Sequence, residues 1–85
     1  EGTRFYLTVG FYGDGRIGEV WLDGPRSDSA LYHIVQDGCV MISHLLQRFV
    51  SPEKIADSLP RKDDGGPGSV LGAIIFRLIE LGSAR

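Results

Sequence analysis

An α+β fold, a β-hairpin followed by one long helix, one short helix and an apolar C-terminal helix, is what this 85-residue chain predicts. Three observations carry it. Apolar residues alternate on both sides of Asp14-Gly15, a helical apolar stripe runs from Ser27 to Phe49, and Ser51 and Ser69 each stand just before a further helical pattern.

Taken in order, Arg4 to Phe11 place Phe5, Leu7, Val9 and Phe11 on one side and Tyr6, Thr8 and Gly10 on the other, the period of a half-buried strand. Tyr12 to Arg16 supply the turn, because Asp-Gly tolerates positive φ. Ile17 to Asp23 form the returning strand. A four-residue loop pairs Val9 with Val20 and Leu7 with Leu22, whereas a three-residue loop sets Val9 against Glu19 and Leu7 against Trp21. The first register is preferred, since it buries no carboxylate. It puts Trp21 on the outer face with Tyr6 and Thr8, where the helices are expected to cover them; the alternative is a further layer or a partner strand.

Gly24 and Pro25 stop the strand, and Ser27 or Asp28 caps the long helix. At about 100° per residue, Leu31, Val35, Gly38, Ile42, Leu45, Leu46 and Phe49 share its core face. Ile34 and Met41 widen one flank and Cys39 the other. His33, Gln36, Asp37, Val40, His44 and Gln47 lie opposite, and Arg48 suits the negative end of the helix dipole. Ser51-Pro52-Glu53 then opens a short helix to Leu59 with Ile55, Ala56 and Leu59 turned inward, ended by Pro60.

Arg61 to Gly68 read as a polar, glycine-rich loop. Ser69 caps a last helix to Leu81, with Gly82 closing it. That helix is apolar around nearly its whole circumference, with only a narrow strip of Arg77 and Glu80. One small chain offers few elements to bury it, so Ile75, Phe76 and Ile79 are expected to join Tyr6 and Trp21 in a homo-oligomer interface, most simply a dimer.

Residues 1–85 form one domain that buries only about 60% of its unfolded surface, and oligomerisation is the stabilising device open to it. Cys39 is the single cysteine, so no internal disulfide forms. A net charge of −2 with mixed signs gives no basic footprint for nucleic acid. The apolar run of the last helix falls short of the ~20 residues of a membrane span, and a cytoplasmic location is expected.

Candidate chemistry is sparse, and no catalytic residue, metal or cofactor is expected. His33 and Asp37 are four apart, but His44 sits roughly 10 Å from Asp37 along the helix, and two ligands do not make a metal site. Cys39, on the edge of an apolar stripe, reads as a packed thiol. Two helix starts can attract an anion through free backbone N–H groups: Arg26, Ser27 and Ser29 at the first, and Gly66, Gly68 and Ser69 at the last. Asp63 and Asp64 oppose the second. A nucleotide- or phosphate-binding regulatory domain is therefore the alternative reading, and each start is more simply a cap and turn.

The segment from Arg4 to Pro60 resembles the TSCPD domain, through Phe5-Tyr6-Leu7-Thr8-Val9-Gly10-Phe11, Asp14-Gly15-Arg16, Glu19-Val20-Trp21-Leu22, Ser27-Asp28-Ser29 and the helix Leu31 to Gln47. Gly66-Pro67-Gly68-Ser69-Val70-Leu71-Gly72-Ala73 is similar to the tail of its small stand-alone members. That domain closes adenosylcobalamin-dependent ribonucleotide reductases and also occurs alone. The Thr-Ser-Cys-Pro-Asp string behind the name is absent, Cys39 lies inside a helix, and no redox cysteine pair follows. The resemblance implies association with ribonucleotide reduction, hence with deoxyribonucleotide supply for DNA replication, and not catalysis of it. It implies an accessory or assembly module, with a reductase catalytic chain, a ribonucleoside-diphosphate reductase, as its partner.

Overall fold

In the computed structural model, which describes residues 5–23 and 29–83, the alternating segments form an antiparallel hairpin of β1 (Tyr6–Phe11) and β2 (Ile17–Asp23). Val9 faces Val20 and Leu7 faces Leu22, the register that spares Glu19 from burial. The loop is longer than that register alone requires. Pairing shifts between Gly10 and Phe11, so that Phe11 opposes Ile17 and Gly18 becomes the extra residue of a bulge. Tyr12 N–H donates to Arg16 O (2.7 Å) and Gly15 N–H to Tyr12 O (2.9 Å), and Gly15 takes the positive φ of 92° that closes the turn. The predicted start of the strand at Arg4 lies outside the described residues.

Three helices follow: α1 (Ala30–Gln47), α2 (Pro52–Ser58) and α3 (Val70–Ser83). The cap of α1 is Ser29, whose hydroxyl accepts from Tyr32 N–H at 3.1 Å, while the predicted caps Ser27 and Asp28 lie outside the described residues. Its buried face is Tyr32, Val35, Gly38, Cys39, Ile42 and Leu46, turned toward the Cys39 flank relative to the predicted stripe. Leu31, Ile34, Met41 and Leu45 are consequently exposed.

Hydrogen bonds to β2 account for this rotation. Ser43 Oγ accepts from Val20 N–H (2.9 Å) and lies within donating distance of Val20 O (2.8 Å) and Cys39 O (2.9 Å). Gln47 Nε2, assigned by pattern to the solvent side, donates to Gly18 O at 3.1 Å. The helix thus covers the outer edge of β2 at Gly18 and Val20.

At its C-terminal end α1 turns on Phe49, with φ 68°. Phe49 N–H donates to Leu46 O and Val50 N–H to Leu45 O, both at 3.0 Å, a Schellman arrangement with phenylalanine where glycine is usual. This left-handed residue leaves the helical path, so Phe49 departs from the predicted core stripe and is 77% exposed.

Ser51 caps α2 by accepting from Lys54 N–H (3.1 Å), with Pro52 at the first helical position, and Ile55 and Ala56 are buried. Ser69 caps α3 by accepting from Gly72 N–H (3.0 Å), and the helix continues through Gly82 to Ser83 instead of closing there. Ile74, Ile75 and Leu78 are buried, Leu71, Phe76, Ile79 and Leu81 pack against them, and Val70, Ala73, Arg77 and Glu80 face outward. A single chain therefore covers most of α3. The reason is α2 packed against it, with α1 crossing nearby. At Gly38 α1 and α3 approach so closely that a Cβ would overlap the Leu71 methyl groups.

The core joins the inner face of the hairpin, through Ile17 and Val20, to α1, α2 and α3. The helices do not cover the outer face of the hairpin as expected: Trp21 is 43% and Tyr6 59% exposed.

Candidate functional site

Rotation of α1 leaves an apolar strip uncovered on either side of Gly38, which is itself buried beneath Leu71 of α3. Leu31, Ile34, Gly38, Met41 and Leu45 recur at alternating steps of three and four, the a/d spacing of a helix seam that docks on another helix. At 1.5 Å per residue the strip is about 21 Å long. Ile34 is 58% and Met41 63% exposed, no charged residue lies on it, and Leu71 of α3 fills the notch at Gly38.

A second feature stands where the hairpin turn meets the helix ends. An open cleft of about 970 Å³ is bounded by Gly13 to Ile17, by Leu46, Phe49 and Val50, by Ser51 to Glu53, and by Leu78, Ile79 and Gly82. On its rim the Arg16 guanidinium stacks over both the Tyr12 and Phe49 rings, 4.6 Å from each centroid. Asp14 completes the arrangement. Its carboxylate accepts from Arg16 N–H (3.0 Å) and Arg16 Nε (3.2 Å), and these bonds, the backbone one foremost, hold its pKa below the usual 3.8. Arg16 is therefore committed to two rings and a carboxylate, and the rim offers aromatic surface more than free positive charge. A phenylalanine held at positive φ is a strained element, stabilised here by the helix-end hydrogen bonds and the stacked cation.

The predicted anion sites fare differently. Arg26 and Ser27 lie outside the described residues, and the Ser29 hydroxyl is engaged by Tyr32 N–H. At the start of α3 three of the N–H groups are engaged within the chain: Gly66 N–H on Asp64 Oδ1 (2.8 Å), Gly68 N–H on Pro60 O (3.2 Å), and Gly72 N–H on Ser69 Oγ. Lys62 N–H to Gly66 O (2.9 Å) and an Arg61 to Pro67 bridge tighten this loop into a small hairpin. That geometry makes Gly66, Gly68 and Ser69 turn and cap residues.

Of the predicted interface residues, Tyr6 and Trp21 share the exposed outer face of the hairpin. Ile75 has no surface left for a second chain, being 0% exposed, and Phe76 and Ile79 are half-buried. Phe76 also carries the Arg61 guanidinium 5.2 Å above its ring. The reading of Ile75 as an interface residue thus gives way to a place in the core, because α1 and α2 already occupy that side of α3.

Cys39 is wholly buried, and burial pushes its thiol pKa up, so it is poorly suited to nucleophilic work. Among the described residues no group of three or more His, Cys, Asp or Glu side chains is placed to hold a metal, and no helix is long and apolar enough to cross a membrane. Sequence pattern missed the Arg16, Tyr12 and Phe49 stack. The Asp-Gly-Arg turn was visible, but the departure of Phe49 from its helix had no local signal such as a glycine.

Compared with known families, the chain matches the model described as TSCPD domain over residues 1–81. No curated protein and no solved structure matches it.

Proposed function

Since the chain belongs to the TSCPD domain family, which is associated with ribonucleotide reductases, we propose that it is a non-catalytic accessory or assembly module that docks on a reductase catalytic chain through the apolar strip of α1. The observation that carries this reading is the strip itself. Four large apolar side chains at seam spacing, two of them more than half exposed, flank the face of α1 that is committed to the core. With Ile34 58% and Met41 63% exposed, removing the remainder from water contributes about 1–2 kcal/mol for each, before the entropy lost on association. A helical seam of this kind accepts an amphipathic helix of the partner.

The chemistry of the rest of the molecule agrees with a binding role. Cys39 is buried, Arg16 is held by its neighbours, and the N–H groups of Gly66, Gly68 and Gly72 are engaged within the chain. The test is recovery of the tagged protein from its own source cells, with the associated chains identified by mass spectrometry. Enrichment of a ribonucleotide reductase chain by the wild type, and its loss with Met41→Glu, is the expected result. A reductase chain recovered equally by both forms would remove the strip from the proposal, and none recovered by either would remove the reductase.

A further inference from the structure

The two edges of the hairpin are treated differently by the rest of the chain. Ser43 and Gln47 satisfy the outward backbone groups of β2 at Val20 and Gly18, which also shows which way the backbone faces. With its N–H bonded to Ser43, Val20 turns away from its opposite residue, Val9. The Val9 and Val20 pair is therefore a non-hydrogen-bonded one, and so is Leu7 with Leu22 two residues on. The N–H and C=O groups of Leu7 and Val9 then point out from the free edge of β1, and no described residue is bonded to them.

Edge strands in soluble proteins are usually blunted by charge, by proline or by a covering segment. Between Tyr6 and Phe11 there is no charged residue and no proline, whereas β2 carries Glu19 and Asp23. The inner-face side chains Leu7 and Val9 are only half-buried, which leaves the hydrophobic layer open along this same edge.

We infer that β1 pairs antiparallel with β1 of a second copy, joining two hairpins into one four-stranded sheet about a two-fold axis at Thr8. A two-fold axis makes the strand its own partner, so an uncharged strand meets no like charge. In this register Leu7 exchanges both backbone hydrogen bonds with the partner's Val9, and Val9 with the partner's Leu7. Thr8 stands opposite the partner's Thr8 on the outer face, and the half-buried inner side chains of the two copies become neighbours. Six residues span about 20 Å of edge, less than a standard interface of roughly 800 Å² per partner supplies. The dimer is accordingly concentration-dependent. It leaves the α1 strip unused, and it stands or falls independently of the reductase as partner.

Sedimentation equilibrium over a dilution series tests it, with circular dichroism confirming the fold of each variant. The wild type is expected to move from the 9.3 kDa chain mass toward twice that value as concentration rises into the millimolar range. Val9→Pro removes an outward N–H that no bond among the described residues uses and should stay monomeric, while Val9→Ala, which keeps that N–H, should still associate. Thr8→Cys should form a disulfide-linked dimer on mild oxidation, since opposed residues of a non-hydrogen-bonded pair bring their Cβ atoms to about 4.5–5.5 Å. If Val9→Pro fails to fold, the Thr8→Cys cross-link decides alone. A wild type that stays monomeric throughout, a folded Val9→Pro that still dimerises, or a Thr8→Cys form that does not cross-link would overturn the inference.

Discussion

Replacing Ser43 by alanine isolates the contact on which the arrangement of α1 against β2 depends. The hydroxyl accepts from Val20 N–H at 2.9 Å and sits 2.8 Å from Val20 O and 2.9 Å from Cys39 O. It has one proton to donate, so its loss orphans Val20 N–H, and Val20 O where that is the acceptor, while Cys39 O keeps its helical partner. Val20 is almost wholly buried. An unsatisfied buried group costs about 1–3 kcal/mol, and the higher helix propensity of alanine returns about 0.5 kcal/mol. A net loss of about 1–2 kcal/mol is expected, or roughly 4–16 °C in melting temperature for a domain of this size. Thermal and urea unfolding followed by circular dichroism, at one fixed protein concentration, measure it directly. Ser43→Thr, which keeps the hydroxyl, should lose less. Amide exchange adds a local readout: the Val20 N–H should exchange faster in Ser43→Ala, while amides inside the hairpin ladder change less. Stability within about 0.5 kcal/mol of wild type, with Val20 still protected, would refute the claim that this hydroxyl closes the edge.

Other substitutions probe separate links. Gly38→Ala would gain about 1 kcal/mol in an open helix, but here the new methyl meets Leu71, so a net loss within the 1–3 kcal/mol range of overpacking is expected, and a double-mutant cycle with Leu71→Ala should show coupling. Ile75→Asp should abolish cooperative unfolding, because Ile75 is wholly buried and even alanine there costs about 2–5 kcal/mol; a folded, cooperatively melting monomer would contradict that placement. Asp14 should titrate below 3.8 when followed by NMR. A depressed carboxylate pKa means a stabilising contribution complete above that value and lost as pH falls through the folded one, and Arg16→Gln should shift the midpoint only part of the way back, since the backbone N–H of residue 16 remains. Cys39 should resist thiol reagents until the chain unfolds, and its raised pKa means stability contributed below pH 9.0 and lost as pH rises beyond it.

Much of the fold was legible because its signals are local. Alternation at Phe5, Leu7 and Val9, the Asp14-Gly15 turn, and the serines before the second and third helices each specify backbone geometry within a few residues, and avoidance of a buried Glu19 selected the register. What pattern could not supply was the rotation of α1. Periodicity finds an apolar sector on this helix wider than one neighbour can cover, and it cannot say which part the sheet claims. Ser43 and Gln47 decide that through long-range hydrogen bonds to β2, so Leu31, Ile34, Met41 and Leu45 move from expected core to surface. The same blindness operated on α3 in reverse. Apolar on most sides, it reads as an interface until α1 and α2 are seen to occupy those sides. The candidate site was thus visible as composition and misassigned in direction: Tyr6 and Trp21 stay exposed where the helices were expected to cover them, while Ile75 is core.

The central claim, that the exposed seam of α1 is a docking face for a reductase chain, is tested most directly by titrating the purified ribonucleotide reductase catalytic chain of the same organism into this protein by calorimetry. Saturable binding to the wild type is expected and, for a Met41→Glu form with unchanged melting temperature, at least a tenfold weaker affinity, which corresponds to about 1.4 kcal/mol. Binding of equal strength to both forms would contradict it.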